Sequence, residues 1–478
     1  MPLSLFDARD HGARGDGRTI DSDAINRAIA AAAQAGGGTV LLGPGRFLCF
    51  SLRLASGVTL LLAVGAVIEA ADPARHAGRY DPPEEGPEEL YQDFGHSHWR
   101  NSLIWGDGLH DVAILGPGRI EGKGLTRDGP GARWRKETGE RPLSMQGMSE
   151  AEIRALEPEA ERMNGLGNKA IALKNCRNVR VADLTIDGGG HFALLATGVD
   201  GLTVERLTID TERDGIDLDC VRNARVAHCR VNTPNDDAIV LKSSFALGRP
   251  AATEAVVIEH CSVSGFDPGT MLDGTFGRTQ QIAPDRDRVT GRIKLGTESN
   301  GGFCDIAIRD CRFERSRGLA LETVDGGTIE NVSVSGITMR EVTTAPIFLR
   351  LGDRRRGPPG TGIGAMRGVS IEDVEAIGID GRFAATIAGL PGHEIEDVRL
   401  RDVRLVYEGG GRAEDAARRP PLLADAYPEP SMFGVTPAWG LWLRHARGVR
   451  LDDVRLETER PDARPEIVSE AAEMVRKP

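Results

Sequence analysis

The sequence predicts an all-β fold, a parallel β-helix in which each turn of the chain stacks on the turn before it. Two observations carry this prediction: a short motif that recurs along the chain, and a position within it that is always apolar. The motif runs apolar, two polar, apolar, polar, apolar, as in VADLTI from Val181, VERLTI from Val204 and VAHCRV from Val226. These copies follow one another at steps of 23 and 22 residues, and later steps are longer, as loops inserted between coils would make them.

The length of the step distinguishes this architecture from others. A repeat rich in Gly and β-branched residues at a step of about 22 is too short for a strand–helix–strand unit, which needs about 30 residues. It fits one turn of a β-helix, whose coils stack about 4.8 Å apart. The predicted architecture is a single domain over residues 1–478.

The fourth position of the motif predicts a column of side chains that point into the helix. It is apolar in every copy: Leu184, Leu207, Cys229, Cys261, Cys311, Ile337, Val374, Val403 and Val454. Three of the seven cysteines therefore replace Leu or Val in the core, and no Cys-x-x-Cys pair occurs. We interpret them as reduced cysteines that act as small hydrophobic residues, and we predict no disulfide, metal or cofactor.

Composition excludes several functional classes. The formal net charge of −12 makes nucleic acid an unsuitable partner. No apolar run reaches the length of about 18 residues that a membrane span needs. The N-terminal stretch MPLSLFDARDHGARGDG has no apolar signal core. The expected location is the cytoplasm, or the periplasm or exterior if a signal has been removed, and the sequence leaves the oligomeric state open.

Four segments depart from the repeat. The stretch DSDAINRAIAAAAQAGGG predicts a helix that begins at Asp21 or Ser22, ends before Gly36 and covers the open end of the first coil. Three insertions are expected to wall a groove: residues 73–100, residues 126–167, which include a predicted helix up to Pro158, and residues 408–438.

Aspartates gather where two neighbouring strands begin. In RDGIDLD and NDDAIVLK, Asp214 and Asp237 each stand two residues before the first inward-facing Ile, one coil apart. They should therefore stack, with Asp236 one residue out of line. The strand one coil earlier, FALL from Phe192, is aligned with Phe192 opposite Ile216, which puts His191 beside the equivalent place. A lone Asp here would be an ordinary turn former, but stacked carboxylates repel each other.

This arrangement indicates acid–base chemistry. Clustered carboxylates push their pKa values apart, so that one keeps its proton while another is ionised. Glycoside hydrolysis needs that division, because one carboxyl protonates the leaving oxygen and another acts as the base that activates water.

At these residues the chain resembles the polygalacturonase family, glycoside hydrolase family 28. The likeness rests on Arg213-Asp214-Gly215, on the Asp236-Asp237 pair one coil later, and on the N-terminal stretch HGARGDGRTIDSDAINRAI, and it spans roughly residues 5–460. The resemblance implies a right-handed parallel β-helix that hydrolyses pectic polysaccharides with inversion, with acid and base farther apart than in retaining enzymes. It also implies that Asp236 is the general acid and that Asp214 and Asp237 hold and deprotonate the water.

Two departures from the family pattern bear on the substrate. Gly291 stands where the family has a histidine, for which His191 is a spatial substitute. The family's Arg-Ile-Lys, which grips a substrate carboxylate, aligns with Ala320-Leu321-Glu322. A glutamate would repel a galacturonate there, although Arg292 and Lys294 are alternative cations. These changes favour a mixed or neutral pectic oligosaccharide, such as a rhamnogalacturonan fragment, over plain homogalacturonan.

Other residues are candidates for substrate contact. Lys242 lies one coil from Asp219, so it either binds substrate, tunes the acid or forms a structural ion pair. Glu298 and Glu322 follow later strands and either bind sugar hydroxyls or lie on a solvated face. His96 and His98 could bind a metal, but a loop that packs against the protein or binds sugar is the favoured interpretation. Four aromatic residues either stack on sugars or fill a core: Tyr427, Phe433, Trp439 and Trp442.

The predicted function is an inverting, exo-acting glycoside hydrolase that acts on pectic oligosaccharides, with Asp214, Asp236 and Asp237 as the catalytic residues. Exo attack is expected because the insertions would close the groove. Within hydrolases, a neutral-sugar glycosidase such as a rhamnosidase is the alternative. A polysaccharide lyase, in which the aspartates would bind Ca²⁺, and a noncatalytic carbohydrate-binding β-helix are the alternatives from other functional classes.

Overall fold

The computed structural model describes residues 4–84, 91–129, 147–149, 151–152 and 160–477. The chain forms a right-handed parallel β-helix, as the sequence predicts. The described residues form 33 strands, which pair in parallel with their counterparts one coil later, for example Ile216 with Ile239 and then Ile239 with Ile293. The helix predicted within residues 126–167 falls almost wholly outside the described residues.

Three parallel ladders form the walls of the β-helix. The first, here called the site ladder, contains Leu52–Arg53, Ile104–Asp107, Lys169–Lys174, Phe192–Thr197, Asp214–Asp219, Ile239–Ser243, Ile293–Ser299, Leu319–Thr323, Ile347–Leu351 and Ala385–Ala388. The second contains Leu5–Asp7, Gly38–Leu42, Val58–Leu62, His110–Leu115, Arg177–Ala182, Asp200–Glu205, Arg222–Ala227, Thr253–Glu259 and Phe303–Arg309. The third contains Asp16–Ile20, Gly45–Cys49, Ala66–Ala70, Arg119–Glu121, Thr185–Asp187, Thr208–Asp210, Arg230–Asn232, Ser262–Ser264 and Arg312–Ser316.

Longer strands complete the C-terminal coils. Three of them bend from the second ladder into the third: Thr328–Val342, Ala365–Ile379 and Ile395–Tyr407. Leu441–Thr458 continues all three ladders, and Ile467–Lys477 pairs along it as the last strand.

The core fills the centre of the coils, and the predicted inward column is confirmed. All nine residues at the fourth motif position belong to one continuous hydrophobic core, and none is more than 5% exposed. Three of the free cysteines, Cys229, Cys261 and Cys311, are buried there one above another, as predicted. Each lies at the bend between a strand of the second ladder and a strand of the third, directly after a residue with positive φ, and the bend turns its side chain into the core.

The N-terminal helix is also confirmed. It runs over Ser22–Gln34 and buries an alanine- and isoleucine-rich face against the first coils. The carboxylate of Asp21 does not cap the helix but accepts hydrogen bonds from the N–H groups of Arg14 and Gly15. Further short helices are Phe94–Ser97 and Thr270–Asp273, and single 3₁₀ turns are Ala8–His11, Ala160–Met163, Ala413–Ala417 and Pro430–Phe433. Among the described residues, no helix combines the length and the apolar character that crossing a bilayer requires.

Candidate functional site

The register of the site ladder brings the three aspartates together. Ile216 pairs with Ile239, which places Asp214 beside Asp237, and the N–H of Gly215 donates to the carbonyl oxygen of Asp237. Each of the three carboxylates, with Asp236 as the third, offers one oxygen, and these oxygens lie within 4.8 Å of one another. The stacking expected from the step of one coil is therefore present.

The strand before these two needs a correction. Leu194, not Phe192, pairs with Ile216, so Phe192 occupies the position of Asp214 one coil earlier. The apolar run of FALL hides this shift of two residues, because a strand moved by two keeps its alternation of faces. His191 still lies next to the equivalent place, as predicted.

Two basic side chains hold Asp237 as an anion. Arg292 Nε donates to its carboxylate at 2.7 Å, and Lys294 Nζ lies 3.4 Å from the other oxygen. Burial of the carboxyl opposes ionisation, but the charges of Lys294 and Arg292 outweigh it, and the pKa of Asp237 falls to about 2. Asp237 is thus ionised in mildly acidic and neutral solution.

Asp214 has the opposite environment. It is buried, and its Oδ1 has no hydrogen-bond partner among the described residues. Burial, and next the charge of Asp236, raise the pKa of Asp214 well above that of an ordinary aspartate. The site therefore pushes the pKa values of two stacked carboxyls apart, which is the property that the sequence predicted for this cluster.

Asp236 is the most exposed of the three, with 27% of its side chain accessible. Arg213 donates to its Oδ2 from Nη2 at 2.8 Å and from Nε at 3.2 Å. The Nη1 of Arg213 lies 3.1 Å from Nδ1 of His191. Arg213 thus links the exposed aspartate to a buried histidine, an arrangement that the sequence did not predict.

His191 is buried beside the three aspartates and does not lie on an open surface. It is buried, its Nδ1 is 2.9 Å from the carbonyl oxygen of Arg127, and its Nε2 has no partner among the described residues. Burial and then the charge of Arg213 hold the pKa of His191 well below its usual range, so the imidazole is neutral. Its predicted role as a substrate ligand stays a prediction, and the contact that the structure shows is with Arg213.

Lys242 forms the cross-coil ion pair that was one of its predicted roles, but with a different partner. Its Nζ lies 3.1 Å from Asp217 and 3.5 Å from Glu298. The expected partner, Asp219, accepts hydrogen bonds from the N–H and the hydroxyl of Ser244 instead. Because the carboxylate of Asp219 already has hydrogen-bond partners, Lys242 pairs with Asp217, two residues earlier in the same strand.

A histidine from the first insertion also contacts the Lys242–Asp217 ion pair. His96, in the segment 73–100, contacts Asp93 through Nδ1, and its Nε2 lies 3.2 Å from Asp217. Burial opposes protonation, but the charge of Asp93 outweighs it and raises the pKa of His96 to about 10. His96 is thus buried between Asp93 and Asp217, and its Nε2 also contacts Nζ of Lys242. His98 lies nearby, with its Nδ1 2.9 Å from the carbonyl oxygen of Phe94.

The C-terminal insertion reaches the site from the other side. Glu429 accepts hydrogen bonds from both terminal nitrogens of Arg292, at 2.8 and 3.1 Å, and lies 3.2 Å from Arg317. No local feature of the sequence singles out Glu429, because the loop that carries it has no periodicity. The partners of Arg292 are therefore Asp237 on the strand side and Glu429 on the loop side.

The two later glutamates are buried, so the solvated-face interpretation of Glu298 and Glu322 is wrong. Glu322 lies 3.4 Å from Lys294 and accepts a hydrogen bond from the hydroxyl of Thr297 at 3.1 Å. Its burial raises the pKa of Glu322 to about 7 against the opposing charges of Lys294 and Arg292. Glu298 pairs with Lys242 and also with Arg354, at 3.4 Å.

The predicted aromatic residues divide into two groups. Phe433 and Trp442 are buried in a small satellite core, with ring centroids 4.9 Å apart, and Trp439 packs edge-on against Tyr407. Only Tyr427 adjoins the charged site, with its ring centroid 5.7 Å from Nζ of Lys294. The core interpretation holds for the first three, and sugar stacking stays a prediction for Tyr427.

The oxygen-rich cluster also suits a hard cation such as Ca²⁺, because each aspartate offers one carboxylate oxygen. Three basic side chains already contact two of these aspartates: Arg213 contacts Asp236, whereas Arg292 and Lys294 contact Asp237. The positive charge that the cluster requires is thus supplied within the protein.

Comparison with known proteins supports the architecture. Residues 5–72 match the family model described as rhamnogalacturonase A/epimerase, pectate lyase-like. The structure is similar to a hyperthermoactive exopolygalacturonase from Thermotoga maritima, with 18% sequence identity and a TM-score of 0.64 over 96% of this chain and 92% of that chain. The chain has the fold of the polygalacturonases.

Two more polygalacturonases share this fold. The family 28 exopolygalacturonase of Yersinia enterocolitica has 17% identity and a TM-score of 0.69, over 99% of this chain and 78% of that chain. The polygalacturonase of Erwinia carotovora ssp. carotovora has 18% identity and a TM-score of 0.57, over 81% of this chain and 90% of that chain. No curated protein matches the chain by sequence.

Proposed function

We propose that the chain is a glycoside hydrolase of pectic oligosaccharides, with Asp214, Asp236 and Asp237 as its catalytic residues. The observation that carries the proposal is the convergence of three carboxylates from adjacent coils within 4.8 Å, with the pKa of Asp237 lowered and that of Asp214 raised. Titratable groups driven apart in one cluster are characteristic of acid–base catalysis.

The geometry suggests how the work is divided. Asp237 is ionised and buried, so it serves as the base that takes a proton from the attacking water. Asp214, whose raised pKa keeps it protonated, is the source of the proton, and Asp236, the more exposed carboxyl beside it, relays that proton to the leaving oxygen. Arg213 holds Asp236 in position through two hydrogen bonds.

The stereochemical outcome is a sharp test of this division. Inverting enzymes usually separate their two carboxyl groups by about 6.5–9.5 Å, and retaining enzymes by about 5–5.5 Å. The oxygens that the three aspartates offer lie within 4.8 Å of one another, so the proposed inversion requires the water to lie beside the trio rather than between two distant groups. Proton NMR of the first product anomer should show inversion, and a retained anomer would make one aspartate the nucleophile.

Pectic substrates are proposed from three supports together: the fold shared with polygalacturonases, the match of residues 5–72, and the aspartate arrangement. Exo attack is proposed because insertions contribute to both sides of the site, through His96 and Glu429. An exo enzyme releases reducing ends from a soluble pectic polymer with little loss of viscosity. A rapid fall in viscosity would contradict exo attack while leaving hydrolysis intact.

The decisive experiment is a screen of pectic and non-pectic oligosaccharides with product identification. Wild-type protein should generate new reducing ends, and Asp214→Asn, Asp236→Asn and Asp237→Asn should each lose that activity. The matched control is Glu375→Gln, which makes the same kind of change in an exposed ion pair. Products with an unsaturated uronate and a requirement for Ca²⁺ would indicate a lyase. Binding that survives in Asp236→Asn with no turnover in the wild type would indicate a carbohydrate-binding module.

A further inference from the structure

We propose that the sugar bound against the three aspartates is a neutral one, a hexose, deoxyhexose or pentose without a carboxylate, even where the rest of the oligosaccharide carries uronates. The inference rests on the proposed hydrolase function and specifies its substrate at the cleaved bond. It follows from how the basic side chains of the site are already engaged.

Among the described residues, the four basic side chains that most strongly influence Asp214 and Asp237 each have a carboxylate partner. Arg213 is paired with Asp236, at 2.8 Å, and Lys242 with Asp217, at 3.1 Å. The other two are Arg292, paired with Asp237 and Glu429, and Lys294, paired with Asp237 and Glu322.

The next shell continues this pattern of internal neutralisation. Arg317 lies 2.8 Å from Asp285 and 3.2 Å from Glu429. Arg354 contacts Asp325 at 2.5 Å and Glu298 at 3.4 Å. The arginine and lysine side chains that could bind a substrate carboxylate here are thus already paired with carboxylates of the protein.

Two buried cations in the site ladder have no carboxylate partner within the part of the chain that the structure describes, and neither is available to a sugar. Lys169 is completely buried, its Nζ contacts the amide oxygen of Asn168, and burial lowers the pKa of Lys169 to about 7. Arg350 is buried and donates to main-chain carbonyl oxygens of the C-terminal insertion, including that of Leu423 at 2.8 Å. Both act inside the protein.

Among the described residues around the three aspartates, a uronate would therefore meet no uncommitted positive charge. Moving its carboxylate out of water without a partner is costly, and the surrounding carboxylates add repulsion. A neutral sugar avoids both penalties, because its hydroxyl groups donate hydrogen bonds to carboxylate oxygens. Asp236 is partly exposed for such a bond.

The test is a pair of complementary digests. A mixed pectic oligosaccharide fraction, rich in both neutral and uronic residues, is incubated with the wild-type protein, and the sugar at each new end is identified by mass spectrometry. The para-nitrophenyl α-glycosides of galactose and galacturonate, which differ only in a hydroxymethyl group against a carboxylate, are compared in parallel. New ends at neutral residues, with any turnover of the pair favouring the galactoside, are expected.

Each outcome has a separate meaning. Cleavage at uronates, or preference for the galacturonide, would place a cation from outside the described residues at the site and would overturn the inference while the hydrolase function stands. Absence of any new end, in a folded protein, would overturn the proposed function and this inference with it.

A charge-removal variant tests the cause. Glu322→Gln removes one of the two carboxylates that engage Lys294, so the relative turnover of uronides should rise about tenfold or more, the size of a contact to a charged group. Glu429→Gln makes the matching change at Arg292 and replaces the first variant if that one fails to fold. Glu375→Gln is the exposed control, and an equal rise in it, or no rise in either site variant, would contradict the assignment.

Discussion

Two regions of this β-helix use the same chemistry in opposite settings. On the outer surface of the C-terminal coils, Arg340, Glu375, Arg404 and Glu457 form a ladder of ion pairs at 2.7–3.1 Å, here called the surface ladder. Around Asp237, an arginine, a lysine and three carboxylates form a buried cluster at similar distances, here called the buried network: Arg292, Lys294, Asp237, Glu322 and Glu429.

The difference lies in exposure to water. The side chains of the surface ladder are 38–46% exposed, whereas Arg292 is 1% and Asp237 6% exposed. Exposed pairs gain little, because water and salt screen them and the side chains lose freedom. Buried pairs are strongly interdependent, because removing one partner leaves the other charged and unsolvated. The comparison teaches that distance alone does not identify a functional ion pair, whereas burial with mutual dependence does.

The largest expected effect is on activity. Asp237→Asn keeps the size of the side chain but removes the ionised base, and turnover of a pectic oligosaccharide should fall by about 10²–10⁴-fold, the usual contribution of a general base. Initial-rate kinetics of the wild type, Asp237→Asn and the surface-ladder variant Glu375→Gln measure it. Activity in Asp237→Asn within a few-fold of the wild type would remove Asp237 from the mechanism.

Breaking the buried network at its arginine should have the next largest effect. Arg292→Met leaves Asp237 and Glu429 without their principal partner, and the free energy of unfolding should drop by about 3–5 kcal/mol, the cost of breaking a buried pair. Urea denaturation followed by tryptophan fluorescence measures the loss. The matched surface variant is Arg340→Met, and equal destabilisation by the two would refute the distinction between the two regions.

The same variant carries a pH signature. Arg292 is one of the three cations that lower the pKa of Asp237 to about 2, so its removal should raise that pKa. A base acts only when ionised, so the acid limb of the kcat/KM profile should move to higher pH in Arg292→Met. An acid limb that stays in place would show that a different group sets it.

The sequence anticipated the parts of the molecule that repeat. A constant step and an alternation of two are properties of the chain itself, so the inward column through Cys261 and the stacking of Asp214 on Asp237 follow from spacing alone. The register of the strand that begins at Phe192 was predicted two residues off, because a displacement of two residues leaves the alternation of side chains unchanged.

The partners of the charged residues were not predictable in the same way. Asp93 and Glu429 lie in insertions. The sequence of a loop without periodicity does not indicate which coil the loop packs against. For the same reason Glu298 and Glu322 resembled solvent-facing residues. The burial that changes their chemistry comes from segments distant in sequence.

Lys169, which has no carboxylate partner among the described residues, should affect stability less than the buried network and more than the surface ladder. The pKa of Lys169 is about 7 in the folded protein against 10.5 in the unfolded chain, so between these values the unfolded chain binds more protons. Stability should therefore rise with pH over that interval, by up to about 1.4 kcal/mol per pH unit. Lys169→Met removes this slope, which denaturation at several pH values measures, and an unchanged slope would assign the dependence to another group.

The smallest effect is expected in the surface ladder. Glu375 lies between Arg340 and Arg404, and Glu375→Gln removes its charge with little change in shape. Because water already solvates both arginines, the urea midpoint at physiological salt should move by no more than the experimental error, and any shift seen at low salt should disappear as salt is added. Arg292→Met should show no such recovery, because salt does not screen a pair sealed from solvent. A salt-independent loss of stability in Glu375→Gln would mean that the register of the coils, and not solvent exposure, determines what an ion pair contributes in this β-helix.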